Sequence, residues 1–288
     1  MTKQQDCRRA TARALVVDWQ SAEVTEALAA DGVPSLLMKG PVIARLLYRD
    51  GAVRSYSDTD LLVPRDRIRA AAGALEGLGY VRADLDPDDV VHSSTWVRRS
   101  LSGGMVDLHR TLAGVIRPTT ELWPALWAER RRISVGGREV DVLGFAGTAL
   151  LLATHAQHHG VTSSKPREDL RRGVEQLDMS LWASAYQMAH HVGAREAFEA
   201  ALRRQAPALA DALGVPPDLR DDAVGAGPTS GLRLALSAGG PSAISRALAR
   251  RVFPPAQYMR AVEGAAPGGR SLAAAHLRRW RRLRGRGR

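Results

Sequence analysis

Cysteine is almost absent from this 288-residue chain: Cys7 is the only one. A single thiol excludes an intrachain disulfide and a cysteine metal cluster, so the expected compartment is a reducing cytoplasm. Long hydrophobic runs are lacking too. Stretches such as Ala149 to Ala153 fall far short of the roughly 20 apolar residues a membrane span needs. The first ten residues carry Lys3, Asp6, Arg8 and Arg9 with no apolar core after them, which does not read as a secretory signal. Two nucleotide-binding signatures are missing as well. Lys39 precedes its glycine rather than following one, so no phosphate loop forms, and Gly225-Ala226-Gly227 follows no strand and opens no clear helix. His155 is followed by Ala156 and not by glutamate, which removes the zinc-protease pattern.

What is present is an ordinary globular composition, 45% hydrophobic and 25% charged. The net charge of +11 suggests nucleic acid at first sight, but the run Arg278 to Arg288 holds seven arginines, and without them the balance is +4. A basic tail with Trp280 can grip phosphates or acidic surfaces, or simply be a solvated terminal helix. With the excess charge at one terminus rather than along a groove, nucleic acid is not the expected partner.

Hydrophobic spacing divides the chain into an α+β part and a helical part. A helix over residues 5–30 precedes a short buried strand at Val33 to Met38, and Pro41 opens a second helix through Tyr48. A loop from Ala52 to Ser57 leads into an Asp-x-Asp strand, followed by a helix from Arg65 to Leu78. Strands are predicted at Tyr80–Ala83, Ser94–Leu101 and Met105–Leu112, with a hairpin turn at Ser102-Gly103-Gly104. A helix near Glu121–Arg131 precedes a second hairpin around Gly136-Gly137. Helices then follow near Ala146–His159, Arg167–His190 and Ala194–Arg204, and again near Ser242–Val252 and Ser271–Arg284. Glycine- and proline-rich loops are expected over 214–231 and 264–269. The expected domains are 1–143, a mixed sheet with helices, and 144–288, helical and ending in the arginine-rich helix.

The chemistry concentrates in Ser57-Asp58-Thr59-Asp60-Leu61-Leu62-Val63. In a strand, Thr59, Leu61 and Val63 share one face and Asp58 and Asp60 the other, their Cα atoms about 6–7 Å apart. Magnesium takes oxygen ligands and is commonly held by one or two carboxylates together with substrate phosphates. In the strand Gly104 to His109, Asp107 and His109 share one face, so Asp107 can complete a cluster of three carboxylates from a neighbouring antiparallel strand. Such crowding is costly without a counter-cation. Lys39, Gly40 and Arg54 lie where they can serve a phosphate at the same sheet edge, helped by the positive end of the helix opened by Pro41. His155, His158 and His159 can share a helix face, and Lys165 and Asp169 stand four apart as an exposed pair.

These residues carry a resemblance. Leu36-Leu37-Met38-Lys39-Gly40, Tyr48, Arg54, the Asp58–Val63 run and Val106-Asp107-Leu108-His109 resemble the uncharacterised bacterial nucleotidyltransferase family of the DNA polymerase β superfamily. The resemblance extends through His155, His159 and Asp169 to Phe253-Pro254-Pro255 and the arginine-rich end. It implies a polymerase β-like fold and a transferase moving a nucleoside monophosphate from an NTP, ATP first, to a hydroxyl or similar acceptor, releasing pyrophosphate. The acceptor would be a small molecule, a peptide natural product or a protein. It implies Asp58, Asp60 and Asp107 as catalytic and metal-binding carboxylates for Mg²⁺ or Mn²⁺, with Lys39, Gly40, Arg54, Ser57, His155 and Asp169 at the nucleotide. One departure stands out: the wider superfamily cradles the triphosphate with a Gly-Ser or Gly-Gly pair nearer the aspartates, whereas here Lys39-Gly40-Pro41 occupies that place, Gly40 being eighteen residues ahead of Asp58. The alternative is a catalytically silent scaffold of the same fold that binds an acidic partner through its arginine tail.

Overall fold

A computed structural model of the chain describes residues 3–83, 93–98, 104–113, 115, 118–160, 163–217, 259 and 271–278. The expected helix at 242–252, the Phe253-Pro254-Pro255 segment, most of the two predicted loops and the tail beyond Arg278 lie outside the described residues. Among the described residues, no helix is long and apolar enough to cross a membrane.

The chain opens with α1 (Lys3–Ala30), β1 (Leu36–Met38), α2 (Gly40–Leu47) and β2 (Thr59–Leu62). A single 3₁₀ turn at Arg65–Arg67 leads into α3 (Ile68–Gly77), and β3 (Val81–Arg82), β4 (Ser93–Arg98) and β5 (Gly104–His109) follow. Next come α4 (Leu122–Ala128), β6 (Arg131–Val135) and β7 (Arg138–Val142). Helices then follow among the described residues: α5 (Phe145–His159), α6 (Ser164–Gln176), α7 (Met179–His191), α8 (Arg195–Gln205) and α9 (Pro207–Ala212). The expected α+β fold with a helical C-terminal part is therefore what the chain adopts.

The seven strands among the described residues form one mixed sheet in the order β3-β4-β5-β2-β1-β7-β6. β2 is central, antiparallel to β1 and parallel to β5. The antiparallel pairing expected between the two aspartate strands is thus corrected. β5 is antiparallel only to β4, its hairpin partner, and the passage from β2 to β5 through α3, β3 and β4 returns it parallel to β2.

Strand alternation sorts the core into two faces. Thr59, Leu61 and Val63 are buried on one side; Leu61 and Val63 join Leu37, Val106, Leu108, Val24 and Leu28 of α1 and Leu75 of α3. Leu36, Met38 and Leu62 point the other way and pack with α5, α7 and α8 through Leu150, Trp182 and Phe198. α5 is buried from Ala146 through Gln157, as befits a helix enclosed by a sheet and other helices. On the first face, the polar Thr59 side chain is satisfied by α1, receiving a hydrogen bond from Gln20 Nε2 at 3.0 Å and contacting Ser21 Oγ at 2.9 Å.

Two boundaries differ from expectation. The helix predicted over Arg167–His190 is broken in two, because Leu177 and Asp178 take extended backbone (ψ 138° and 150°) between α6 and α7. α9 adds a short helix that Pro207 opens, its fixed φ suiting a first turn. The β6–β7 turn bears out its glycine signal. Gly136 and Gly137 both have positive φ, and a side chain at Gly136 would meet the α1 backbone at Asp18 O, 2.6 Å away.

Candidate active site

The register of β2 and β5 sets Asp60 opposite Asp107 on adjacent strands. Because Leu61 and Leu108 occupy the α1 face, Asp60, Asp107 and His109 fall on the face toward α5. Single ligand atoms of these three side chains lie within 4.8 Å of one another, and no other such group of three forms among the described residues. Asp60 is only 4% exposed. Its Oδ1 receives Lys39 Nζ at 2.6 Å and lies 2.9 Å from His109 Nε2. Burial alone would raise the Asp60 pKa. The Lys39 charge and the His109 hydrogen bond outweigh it and hold the group far below the usual carboxylate range. Asp107 goes the other way: burial raises its pKa first, and the neighbouring Asp60 and Asp58 charges add to that. Thr95 of β4 donates a hydrogen bond to Asp107 Oδ1 at 2.7 Å. Two carboxylates with opposed proton affinities thus sit side by side.

Asp58 stands just ahead of β2, half-buried, outside the three-residue group but near enough to bear on Asp107. Ser57 is half-buried in the same loop. Gly40 starts α2 against this loop: a side chain there would meet the Tyr56 ring at 3.2 Å and the Asp58 carbonyl at 3.6 Å. Lys39, immediately before it, has φ 48° and ψ −121°. A non-glycine residue in that region carries on the order of 1–3 kcal/mol of strain, a feature that gathers at functional sites. Here the strained residue redirects the chain from β1 into α2 while its ammonium reaches Asp60.

Arg54 and Asp169 find each other. Arg54 Nε and Nη2 donate to Asp169 Oδ1 and Oδ2 at 2.9 and 2.7 Å, and Tyr48 Oη donates to Oδ1 at 2.8 Å. Arg54 Nη1 also reaches the Gly40 carbonyl at 3.4 Å. This clamp ties the loop before β2 and the α2 start to α6. It also corrects the reading of Asp169 as half of an exposed pair with Lys165, since Asp169 is buried and its partners are Arg54 and Tyr48.

His155 is buried on α5, its ring 4.5 Å from that of His159, which in turn lies 5.1 Å from His158. Burial, then the Lys39 charge, hold the His155 pKa well below its ordinary value, so its imidazole is neutral near pH 7. The predicted sharing of one helix face is therefore realised, on the side facing Lys39 and Asp60. The residue that sequence reasoning placed on this face without assigning it a role is His109. Its signal was the two-residue spacing from Asp107 on a strand.

Residues 3–207 match the model of a family described as "Uncharacterised nucleotidyltransferase". No curated protein matches the chain. Among solved structures, the antibiotic-resistance factor ANT(2'')-Ia in solution is 15% identical, with 63% of this chain and 92% of that one covered at a TM-score of 0.44. A crystal structure of ANT(2'')-Ia with adenylyl-2''-tobramycin gives 16%, 59%, 94% and 0.43. An antigenic nucleotidyltransferase-like protein from Paracoccidioides brasiliensis gives 13%, 75%, 97% and 0.39. Likenesses this distant transfer neither an acceptor nor a mechanism. The family match spans most of the chain and every candidate site residue, from Lys39 through Asp107 to Asp169, and on that basis the chain belongs to the uncharacterised nucleotidyltransferase family.

Proposed function

We propose that the protein transfers a nucleoside monophosphate from an NTP, ATP foremost, to a hydroxyl on a small molecule, peptide or protein, releasing pyrophosphate. The observation that carries this reading is the register match of Asp60 and Asp107, facing one side of the sheet with Asp58 beside them. Three nearby carboxylates, one of them pushed toward its protonated form by burial and then by the charges of the other two, suit a hard divalent cation such as Mg²⁺ or Mn²⁺. Asp58, Asp60 and Asp107 would hold it, and when bound it would neutralise phosphate charge at the reacting phosphorus.

In this reading Asp107, with the highest proton affinity of the cluster, accepts the acceptor hydroxyl's proton. The freed oxygen bonds to the α-phosphorus as the bond to the pyrophosphate oxygen breaks. Lys39, Gly40 and Ser57 line the phosphate path, where the α2 N-terminus adds its positive end. Arg54 and Asp169 support nucleotide binding by fixing the Gly40 turn from behind. His155, neutral and buried, orients the nucleotide from α5. We place the domain boundary at 143/144, where sheet gives way to helix. The test is incubation of the protein with Mg²⁺, each NTP and fractions of a cell extract, with mass spectrometry of the fractions. The expected result is an acceptor gaining one nucleoside monophosphate with equimolar pyrophosphate; release of orthophosphate alone contradicts the proposal.

A further inference from the structure

The two cations that the sequence nominates for the triphosphate are both engaged with carboxylates. Lys39 is held by Asp60 at 2.6 Å, and Arg54 is forked onto Asp169 at 2.7 Å with only 3% and 1% of the paired side chains exposed. An NTP carries about four negative charges, and a triphosphate binds through cations free to meet it. Lys165 sits in the first turn of α6, one helical turn before Asp169, so the two share a face. That face is brought to the mouth of the site by the Arg54 clamp. Among the described residues Lys165 makes no hydrogen bond or ion pair, and the residue is exposed.

Resting on the transferase reading above, we propose that Lys165 is a phosphate-binding residue that meets the β- and γ-phosphates of the NTP, and then the departing pyrophosphate, from the helical side. Its charge lies within electrostatic range of the candidate carboxylates. Partial desolvation and the Arg54 charge lower its pKa, while Asp58, Asp169 and Asp60 draw it upward. Lys165 thus stands on α6, the helix that Asp169 clamps to Arg54, and approaches the site from an element other than the one that carries Lys39. A lysine on a flexible stem suits this task, because a point charge can follow pyrophosphate as it leaves. Asp169 supplies the other half of the arrangement by anchoring α6, which explains why a buried aspartate and a free lysine stand one turn apart.

The test is calorimetric titration of the full chain with ATP, AMP and inorganic pyrophosphate in Mg²⁺, comparing wild type with Lys165→Ala and Lys165→Arg. For a partly exposed charge-assisted contact, Lys165→Ala should weaken ATP and pyrophosphate roughly tenfold and leave AMP unchanged. Lys165→Arg should recover most of that loss. Circular dichroism and urea midpoints should stay at wild-type values, since the residue is exposed. Equal weakening of ATP and AMP, or unchanged ATP and pyrophosphate affinity in Lys165→Ala, overturns the inference. If wild type itself binds no NTP in Mg²⁺, the transferase reading fails with it; if wild type binds and the variant is unaltered, this inference alone fails.

Discussion

Arg54→Met should destabilise the protein by about 3 kcal/mol or more, because it leaves Asp169 charged and buried. The Arg54 and Asp169 side chains are 3% and 1% exposed, so solvent screening gives no relief. Removing one member of a buried pair typically costs about 3–5 kcal/mol. The Tyr48 hydroxyl stays on Asp169 Oδ1 and satisfies one lone pair, which sets the expectation at the lower end. That still shifts the folding equilibrium by about two decades. Arg54→Met/Asp169→Leu, with both charges gone, should recover most of the loss, since an apolar replacement of a buried pair is often neutral. The contrast is Arg171→Ala. Arg171 pairs with Glu168 and Glu175 on the surface of α6, its side chain 52% exposed, and the loss there should be far smaller because solvent screens the charges. Urea unfolding with unchanged slope is the assay. An Arg54→Met variant within about 1 kcal/mol of wild type would refute the claim that this clamp fixes the loop before β2 against α6.

Stability should fall as pH drops below neutrality. Burial holds His155 well below its ordinary pKa and brings His158 down to about 4. The unfolded chain therefore binds these protons first; the contribution is complete above about pH 6.5 and falls as pH drops below that, the His158 part being lost toward pH about 4, at up to roughly 1.4 kcal/mol per pH unit for each histidine. Urea midpoints that stay level across this window contradict the assignment. Gly147→Ala should cost about 1–3 kcal/mol, because a side chain there would collide with Glu129 Oε1, which accepts the Gly147 N–H at the start of α5, and would meet Leu126 at 2.9 Å. Gly73→Ala in α3, which has nothing within 4 Å, should instead gain about 0.5–1 kcal/mol, and equal effects in the two variants would contradict this reading of α5.

The carboxylate face was legible because alternation is local: once Leu61 and Val63 are assigned to a core, Asp60 must point the other way. The direction of β5 was not legible, since it depends on how the chain crosses from β2 through α3 and a hairpin, and no residue of β5 records it. Arg54 and Asp169 were both singled out, yet their union was invisible, because 115 residues separate them and each reads alone as a surface ion. The three histidines on α5 did declare their shared face through helical spacing. The strained Lys39 turn left no signal, since positive φ usually announces itself by glycine or asparagine. The break between α6 and α7 left only a faint one in Asp178, a residue type favoured before a helix, in a run whose apolar spacing otherwise continues.

The most direct test of the carboxylate mechanism is Asp107→Asn in the NTP transfer assay, with urea unfolding on the same samples. Asp60 is the poorer target, since its loss strands Lys39 and His109 as well. The amide introduced by Asp107→Asn still accepts the Thr95 hydrogen bond and relieves both the burial of a charge and the repulsion from Asp60 and Asp58, which together raise the Asp107 pKa. The account predicts a urea midpoint equal to or above wild type together with a loss of nucleotide transfer of at least about a hundredfold. Transfer at the wild-type rate by a folded Asp107→Asn protein would contradict it.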